Sequence, residues 1–344
     1  MALRIVSASL LLALFMACGG KGETSETSSG EQPELRENNP TVLPSKPVPV
    51  FDADSAMDIL KAQVEFGPRV PNTSAHKACA EYLIRELKKW TSGVIVQDAN
   101  VVAYTGEGLK IRNIMGQIHP NRTDRIMLFA HWDSRPFADR GNPGKGKPVL
   151  GADDGASGVA VLLEIARAIA RDSSGGPAPG IDIVLFDAED FGDAGGAPET
   201  YCLGSQYWAK NRPLPISPRY GILLDMVGAK DAVFYQEGAS VTFAPHVVQK
   251  VWSAAHKLGY GNYFKMAQLN GPITDDHYFI NTLANIPSID IINYDPTRPM
   301  GFPGHWHTEN DNLENIDPAT LKAVGQTILQ VLYEEPVLGR ELEP

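Results

Sequence analysis

Two rhythms of apolar residues alternate along most of this chain. Over Ser55–Phe66 and Ser74–Trp90 the apolar positions recur at helical spacing, so one face of each segment can be buried. Gly93–Tyr104 and Leu109–Ile118 read as a β-hairpin joined through Thr105-Gly-Glu-Gly108. Short apolar runs come next at Arg125–Ala130, Ile181–Phe186, Tyr220–Leu224 and Ile286–Asn293, with a further strand at Ala232–Gln236. Runs of that length without polar alternation fit strands covered on both faces. Helical patterns separate them at Gly155–Arg171, Ser205–Asn211, Pro245–Leu258 and Asp317–Glu335, the last with Asp317 as its cap and Pro318 in its first turn. Asp275-Asp276-His277 reads as part of a turn, and 294–315 as a long loop. Strands alternating with helices predict a three-layer α/β/α fold around a mixed, mainly parallel sheet. With no linker composition inside 51–344, a single domain is expected there.

The polar residues that interrupt this pattern carry the chemistry. His131 closes one strand, Glu189 and Asp190 follow the next, and Asp225 closes a third; Asp154 precedes a helix and His307 lies in the last loop. Ligands of open α/β sheets bind beyond the carboxyl ends of strands, so these side chains should meet in one crevice. Histidine nitrogens with carboxylate oxygens are a zinc-type donor set. The plain alternatives are that Asp154 or Asp153 caps the following helix, that Glu189-Asp190 is a solvated acidic loop, and that His307 is a surface residue whose part His305 could take. There is no His-Glu-x-x-His and no Gly-x-Ser-x-Gly, so helix-borne metalloprotease and serine-hydrolase readings lack their main support.

Composition narrows the setting. The chain has 344 residues, 43% of them hydrophobic, and a formal net charge of −11 with no basic stripe, which argues against a nucleic-acid partner. Residues 1–18 read as an export signal: Arg4, an apolar run too short to span a bilayer, then Phe15-Met-Ala-Cys18. That ending resembles a bacterial lipoprotein signal with Cys18 as the lipidated residue, and the polar segment 19–50 reads as a flexible tether. An exported, periplasmic or outer-membrane-anchored lipoprotein is expected, and a monomer. Cys79 and Cys202 could pair in an oxidising compartment, although Cys79 sits in a helical pattern and reads as a small buried residue.

Several short runs together resemble a known family. His131-Trp-Asp133-Ser, Val149-Leu-Gly-Ala-Asp-Asp154-Gly-Ala, Phe186-Asp-Ala-Glu189-Asp190, Leu223-Leu-Asp225-Met-Val-Gly228, Asp275-Asp276-His277 and Trp306-His307-Thr308 look like the animal-type glutaminyl cyclases, which share their fold with co-catalytic zinc aminopeptidases. The resemblance spans about Ser55 to Glu335. It implies one zinc ion on Asp154, Asp190 and His307 and Glu189 as proton carrier. It also implies Asp225 and Asp275 beside Glu189, and a substrate pocket walled by Trp306 with Asp290 at the position of the family's pocket histidine. The expected reaction converts an N-terminal glutamine of a peptide or protein to pyroglutamate and ammonia. Two departures are visible: Asp190 stands where the animal enzymes carry a ligating glutamate, and Asp290 where they carry histidine. The alternative is a two-zinc exopeptidase using His131 and Asp225 for a second ion; a catalytically silent binding module is the third reading. If Cys18 carries the anchor, Cys18→Ser should move the protein from the membrane fraction to the soluble one, and unchanged fractionation would remove the lipoprotein reading.

Overall fold

The computed structural model describes residues 47–140, 146–213 and 217–338. The signal and most of the tether, with Cys18, lie outside these residues. The amino-terminal elements are helices α1 (Ala53–Val64) and α2 (Ser74–Trp90) and strands β1 (Val94–Val102), β2 (Gly108–Ile118) and β3 (Arg125–His131). Helix α3 (Ala156–Ala170), β4 (Gly180–Phe186), α4 (Leu203–Lys210), β5 (Tyr220–Asp225) and β6 (Phe234–Gln236) come after them. The chain ends with α5 (Gly238–Phe243), α6 (Pro245–Lys257), β7 (Phe264–Gln268), α7 (Asp276–Ala284), β8 (Ser288–Ile292) and α8 (Pro318–Glu334). Caps set several starts: the side chains of Asp52, Thr73 and Asp317 each accept a backbone N–H from the first turn of the adjoining helix.

Six strands form the central sheet in the order β1-β2-β4-β3-β5-β8. The last four run parallel, while β1 and β2 add an antiparallel edge. Alternate residues of β3 point to opposite faces: Ile126, Leu128 and Ala130 join the large core beneath α1, α2, α3 and α8, while Met127 and Phe129 pack towards α4 and α7. The three-layer arrangement predicted from the alternation is therefore present. Register does more than layering to place the polar residues. His131 pairs with Phe186 and Asp225 with Ile292, so the parallel strands end level and their loops converge.

Three elements escape the apolar pattern. Helix α7 occupies the segment read as a turn, because its buried face carries Asp276, His277 and Asn281 and so hides the helical period. Helix α5 is short and contains Gly, Ser and Thr; its amide ends are held by the Glu237 carboxylate, which accepts N–H bonds from Ala239 and Ser240. Strand β7 is exposed over most of its length and pairs only with the short β6, so no alternation marks it. The possible disulfide is absent: Cys79 and Cys202 are both free and buried.

Close approach of α3 to the sheet depends on Gly158, where an added Cβ would lie 2.1 Å from the Leu224 carbonyl oxygen. Backbone cannot yield as a side-chain tip can, so Gly158→Ala should force α3 away from β5 and destabilise the fold by about 3 kcal/mol. A thermal midpoint equal to that of the parent would show that the helix has room to shift.

Candidate active site

The level strand ends and the turns just beyond them deliver His131, Glu189, Asp190 and Asp225, and Asp133, just past β3, fixes the backbone of Glu189 and Asp190. Its Oδ1 accepts the Glu189 N–H at 3.0 Å and lies 3.3 Å from His131 Nδ1, while Oδ2 accepts the Asp190 N–H at 3.2 Å. Asp311 does the same for the other turn, accepting the N–H groups of Asp153 at 2.8 Å and Asp154 at 3.0 Å. Neither acidic residue of that turn caps the helix. Gly155 occupies the cap position without a side-chain bond, and its positive φ brings it close to the Asp133 carbonyl. Asp153 instead accepts the Gly228 N–H and contacts His305 Nε2 at 3.0 Å. That contact takes His305 away from the site and leaves His307 in it. The acidic pair avoids repulsion because its members point into different donor sets.

Two donor groups share Asp154. In the first, Asp154, Asp190 and His307 place their donor atoms within 4.8 Å of one another, and all three residues are buried. His307 Nε2 lies 3.3 Å from Asp190 Oδ1 and 4.0 Å from Asp154 Oδ2. In the second, His131 Nε2 lies 3.1 Å from Asp154 Oδ1 and 3.2 Å from Asp225 Oδ1. A zinc ion suits the first group on two counts. Its one-nitrogen, two-carboxylate donor set is a catalytic type that leaves a position open, and Asp190 Oδ2 is buried without a hydrogen bond.

The next layer holds these donors in place. Asp139 Oδ1 sits 3.1 Å from His307 Nδ1, and Arg135 spans Asp139 Oδ2 at 2.5 Å and Asp190 Oδ1 at 2.8 Å. Burial works against the charge on His307, but Asp190 and Asp139 raise its pKa to about 8. Burial likewise opposes ionisation of Asp139, yet His307 and Arg135 hold it far below the usual carboxylate range. Arg135, Asp139 and the clamping role of Asp133 had no signal in the sequence, since 132–151 has no periodicity to rank its polar residues.

Glu189 is 8% exposed and faces the cleft. Burial pushes its carboxyl well up, and the charges of Asp275 and Asp190 add to this while His131 opposes it. Burial also lifts Asp225 and Asp275 to about 7 each. The cleft encloses about 310 Å³ over Glu189, Asp225 and Asp275, with Tyr201, Phe302 and Trp306 among its walls. Trp306 stacks between Phe302 at 4.1 Å and His307 at 3.8 Å. A neighbouring cavity of about 400 Å³, over α5 and Tyr278, has neither carboxylate nor imidazole in its lining.

One expectation needs correction. Asp290 does not line the cleft: it is fully buried on β8, and its Oδ2 lies 3.8 Å from His277 Nδ1 with no hydrogen bond to either oxygen. Its donor atoms cluster with those of Asp275, behind the cavity wall. The reason is its place on the strand: Ile292, at the end of β8, reaches the cavity, and Asp290 lies deeper along the same face.

Four residues without a glycine's freedom adopt left-handed φ around the cleft: Ala188, Cys202, Met226 and His307. Each such residue costs on the order of 1–3 kcal/mol and persists where surrounding contacts impose it, as at functional sites.

A mixed α/β sheet with a buried His/Asp donor set and a desolvated glutamate at its strand ends defines a metal-dependent enzyme of the zinc-exopeptidase architecture. The family model for Peptidase family M28 matches residues 113–332, and the chain belongs to that family. A crystal structure of Bacteroides thetaiotaomicron glutaminyl cyclase bound to N-acetylhistamine is 51% identical, with a TM-score of 0.80, covering 84% of this chain and 100% of that one. A Zn-dependent exopeptidase from Parabacteroides distasonis is 53% identical, with a TM-score of 0.80 and the same coverage. The glutaminyl-peptide cyclotransferase of Drosophila melanogaster is 25% identical over 294 residues, 80% of this chain and 79% of that protein.

Because Asp139 orients His307, Asp139→Ala should keep the fold but weaken zinc binding by about 10- to 100-fold. Competition against a chelator measures this; an unchanged affinity would mean that His307 is held by its backbone alone.

Proposed function

We propose that this protein is a glutaminyl-peptide cyclotransferase, converting the N-terminal glutamine of peptides and proteins to pyroglutamate with release of ammonia. The observation that carries the reading is the placement of Glu189. It is shielded from water beside Asp275, next to the Asp154–Asp190–His307 donors, under a cleft of about 310 Å³ walled by an indole. Relatives bearing the cyclase name at 51% identity support the same reading.

Zinc on Asp154, Asp190 and His307 would supply a Lewis acid for the glutamine side-chain carbonyl. The protein's own groups do the rest. Trp306, immobilised by its two stacking partners, offers the edge they leave uncovered as a wall for the glutamine stem. Glu189 takes a proton from the α-amine, which is the role a carboxylate with a raised affinity for protons can fill near neutral pH. The amine then attacks the side-chain carbonyl carbon of its own residue, so the main demand on the site is to hold a near-attack shape. Glu189 returns the proton to the departing ammonia, and Asp225 and Asp275, in the same cleft wall, adjust its proton affinity. A C–N bond forms as another breaks, and no water is consumed.

The second reading, a two-zinc exopeptidase, rests on one specific observation: Asp154 turns one oxygen to each of two donor groups, so His131 and Asp225 could hold a further ion. Mass spectrometry of a glutamine-initiated peptide separates the two. Loss of one ammonia with all residues retained is the expected result; loss of the first residue would transfer the claim to the exopeptidase. We also propose that residues 51–344 form the catalytic domain, carried as a monomer on a lipid anchor at Cys18 in the periplasm or at the outer membrane.

Glu189→Gln should retain zinc and lose activity by about 100-fold or more, since it removes the proton carrier alone. Asp154→Ala and His307→Ala should instead lose the metal, which elemental analysis reads directly; full zinc content in either variant would reassign the ligands.

A further inference from the structure

Cys202 has no part in the chemistry of the proposed reaction, and its surroundings are unusual for a structural thiol. It precedes α4 and adopts φ of +56°, a conformation that a β-substituted residue avoids unless contacts impose it. Those contacts come from the catalytic strand end. The Cys202 N–H donates to the Glu189 carbonyl at 2.9 Å, and the Leu203 N–H to the Ala188 carbonyl at 3.0 Å. Gly204 packs so tightly below that an added Cβ would lie 2.2 Å from the Asp187 carbonyl. The start of α4 is thus fastened to the backbone of Asp187, Ala188 and Glu189, and the sulfur has little choice of place.

That place is the carboxylate of Glu189. Sγ lies 3.2 Å from Oε1, and Glu189, Cys202 and Asp275 form one cluster with donor atoms within 4.8 Å. Cys202 is fully buried. Burial and the charge of Glu189 push its thiol well up, so the S–H keeps its proton and serves as a donor. The other oxygen of Glu189, Oε2, lies 4.0 Å from His131 Nδ1 and makes no hydrogen bond among the described residues.

We propose that Cys202 is a positioning residue for the proton carrier: its S–H donates to Oε1 of Glu189, fixes the rotation of that carboxylate, and leaves Oε2 to exchange the proton with the substrate amine. This rests on Glu189 acting as the proton carrier of the proposed reaction. With the backbone fixed there and the sulfur fully buried against Glu189, position 202 calls for a small side chain with a donor. Serine meets that requirement and alanine does not.

The test uses the zinc-loaded full chain and a glutamine-initiated peptide. Cys202→Ala should lower kcat about tenfold with KM and zinc content unchanged, because a freely rotating carboxylate misplaces the base without altering binding. Cys202→Ser should recover kcat to within about threefold of the parent by restoring an O–H donor. Parental kcat in the alanine variant, or equal losses in both variants, would overturn the proposal, the latter by showing that volume and not the donor matters. A second measurement is independent of how well the alanine variant folds. The S–H stretching band of Cys202, isolated by difference against Cys202→Ser, should move to higher frequency in Glu189→Gln as the acceptor loses its charge; a band that stays in place would also overturn the proposal. If the parent releases the first residue in place of ammonia, the cyclase reading fails, and the same alanine–serine comparison on that product still decides the role of Cys202.

Discussion

The Asp133 carboxylate ties the end of β3 to the end of β4, and the site depends on that tie. Parallel pairing alone brings His131 level with Phe186, which is a statement about Cα positions. It does not say where the residues beyond Phe186 turn. By accepting the N–H groups of both Glu189 and Asp190, Asp133 curls the chain so that one carboxylate points to the metal donors and the other into the cleft. The same carboxylate faces His131 Nδ1, which fixes the ring with Nε2 towards Asp154 and Asp225. One buried side chain thereby organises both donor groups.

Such an arrangement concentrates negative charge where water is excluded. Glu189, Asp190, Asp225, Asp275 and Asp290 are all buried within one region, and burial alone would disfavour ionising most of them. The structure offsets part of that cost locally. Arg135 donates to Asp190 and Asp139, the His131 and His307 rings face carboxylates, and backbone amides satisfy Asp133 and Asp311. What remains, including Asp190 Oδ2 without a partner, favours a cation or held protons. The scaffold can bear this strain because helices on both faces of the parallel strands pack aliphatic and aromatic clusters against them.

The two departures from the animal cyclases acquire a structural meaning. The shorter side chain of Asp190 is accompanied by Arg135, whose guanidinium pins one of its oxygens; the loop is held in place by that contact and by Asp133. Asp290, in place of a pocket histidine, sits behind the cleft, clustered with Asp275 and His277. Asp290 therefore adds its acidic group one layer behind the carboxylates that line the cleft.

Much of this is legible in the chain. Apolar runs of strand length alternating with helical periods specify the layers, because burying both faces of a parallel sheet requires that pattern. The position of polar residues at or just past the ends of those runs singles out His131, Glu189, Asp190 and Asp225, since strand ends are where an α/β sheet exposes side chains to a crevice; Asp154 before a helix and His307 in the last loop are picked out by the family resemblance. Three things are decided by tertiary structure. The roles of Asp133, Arg135 and Asp139 depend on which loop meets which, and loops carry no period. Helix α7 stays hidden because its inward face is polar, buried there by partners distant in sequence. His305 and His307 are equivalent as neighbours in the chain; only the meeting of their loop with the Asp153–Asp154 turn sends one to a structural carboxylate and the other to the metal donors. Local sequence determines which groups a strand end can offer, and long-range packing determines which of them face one another.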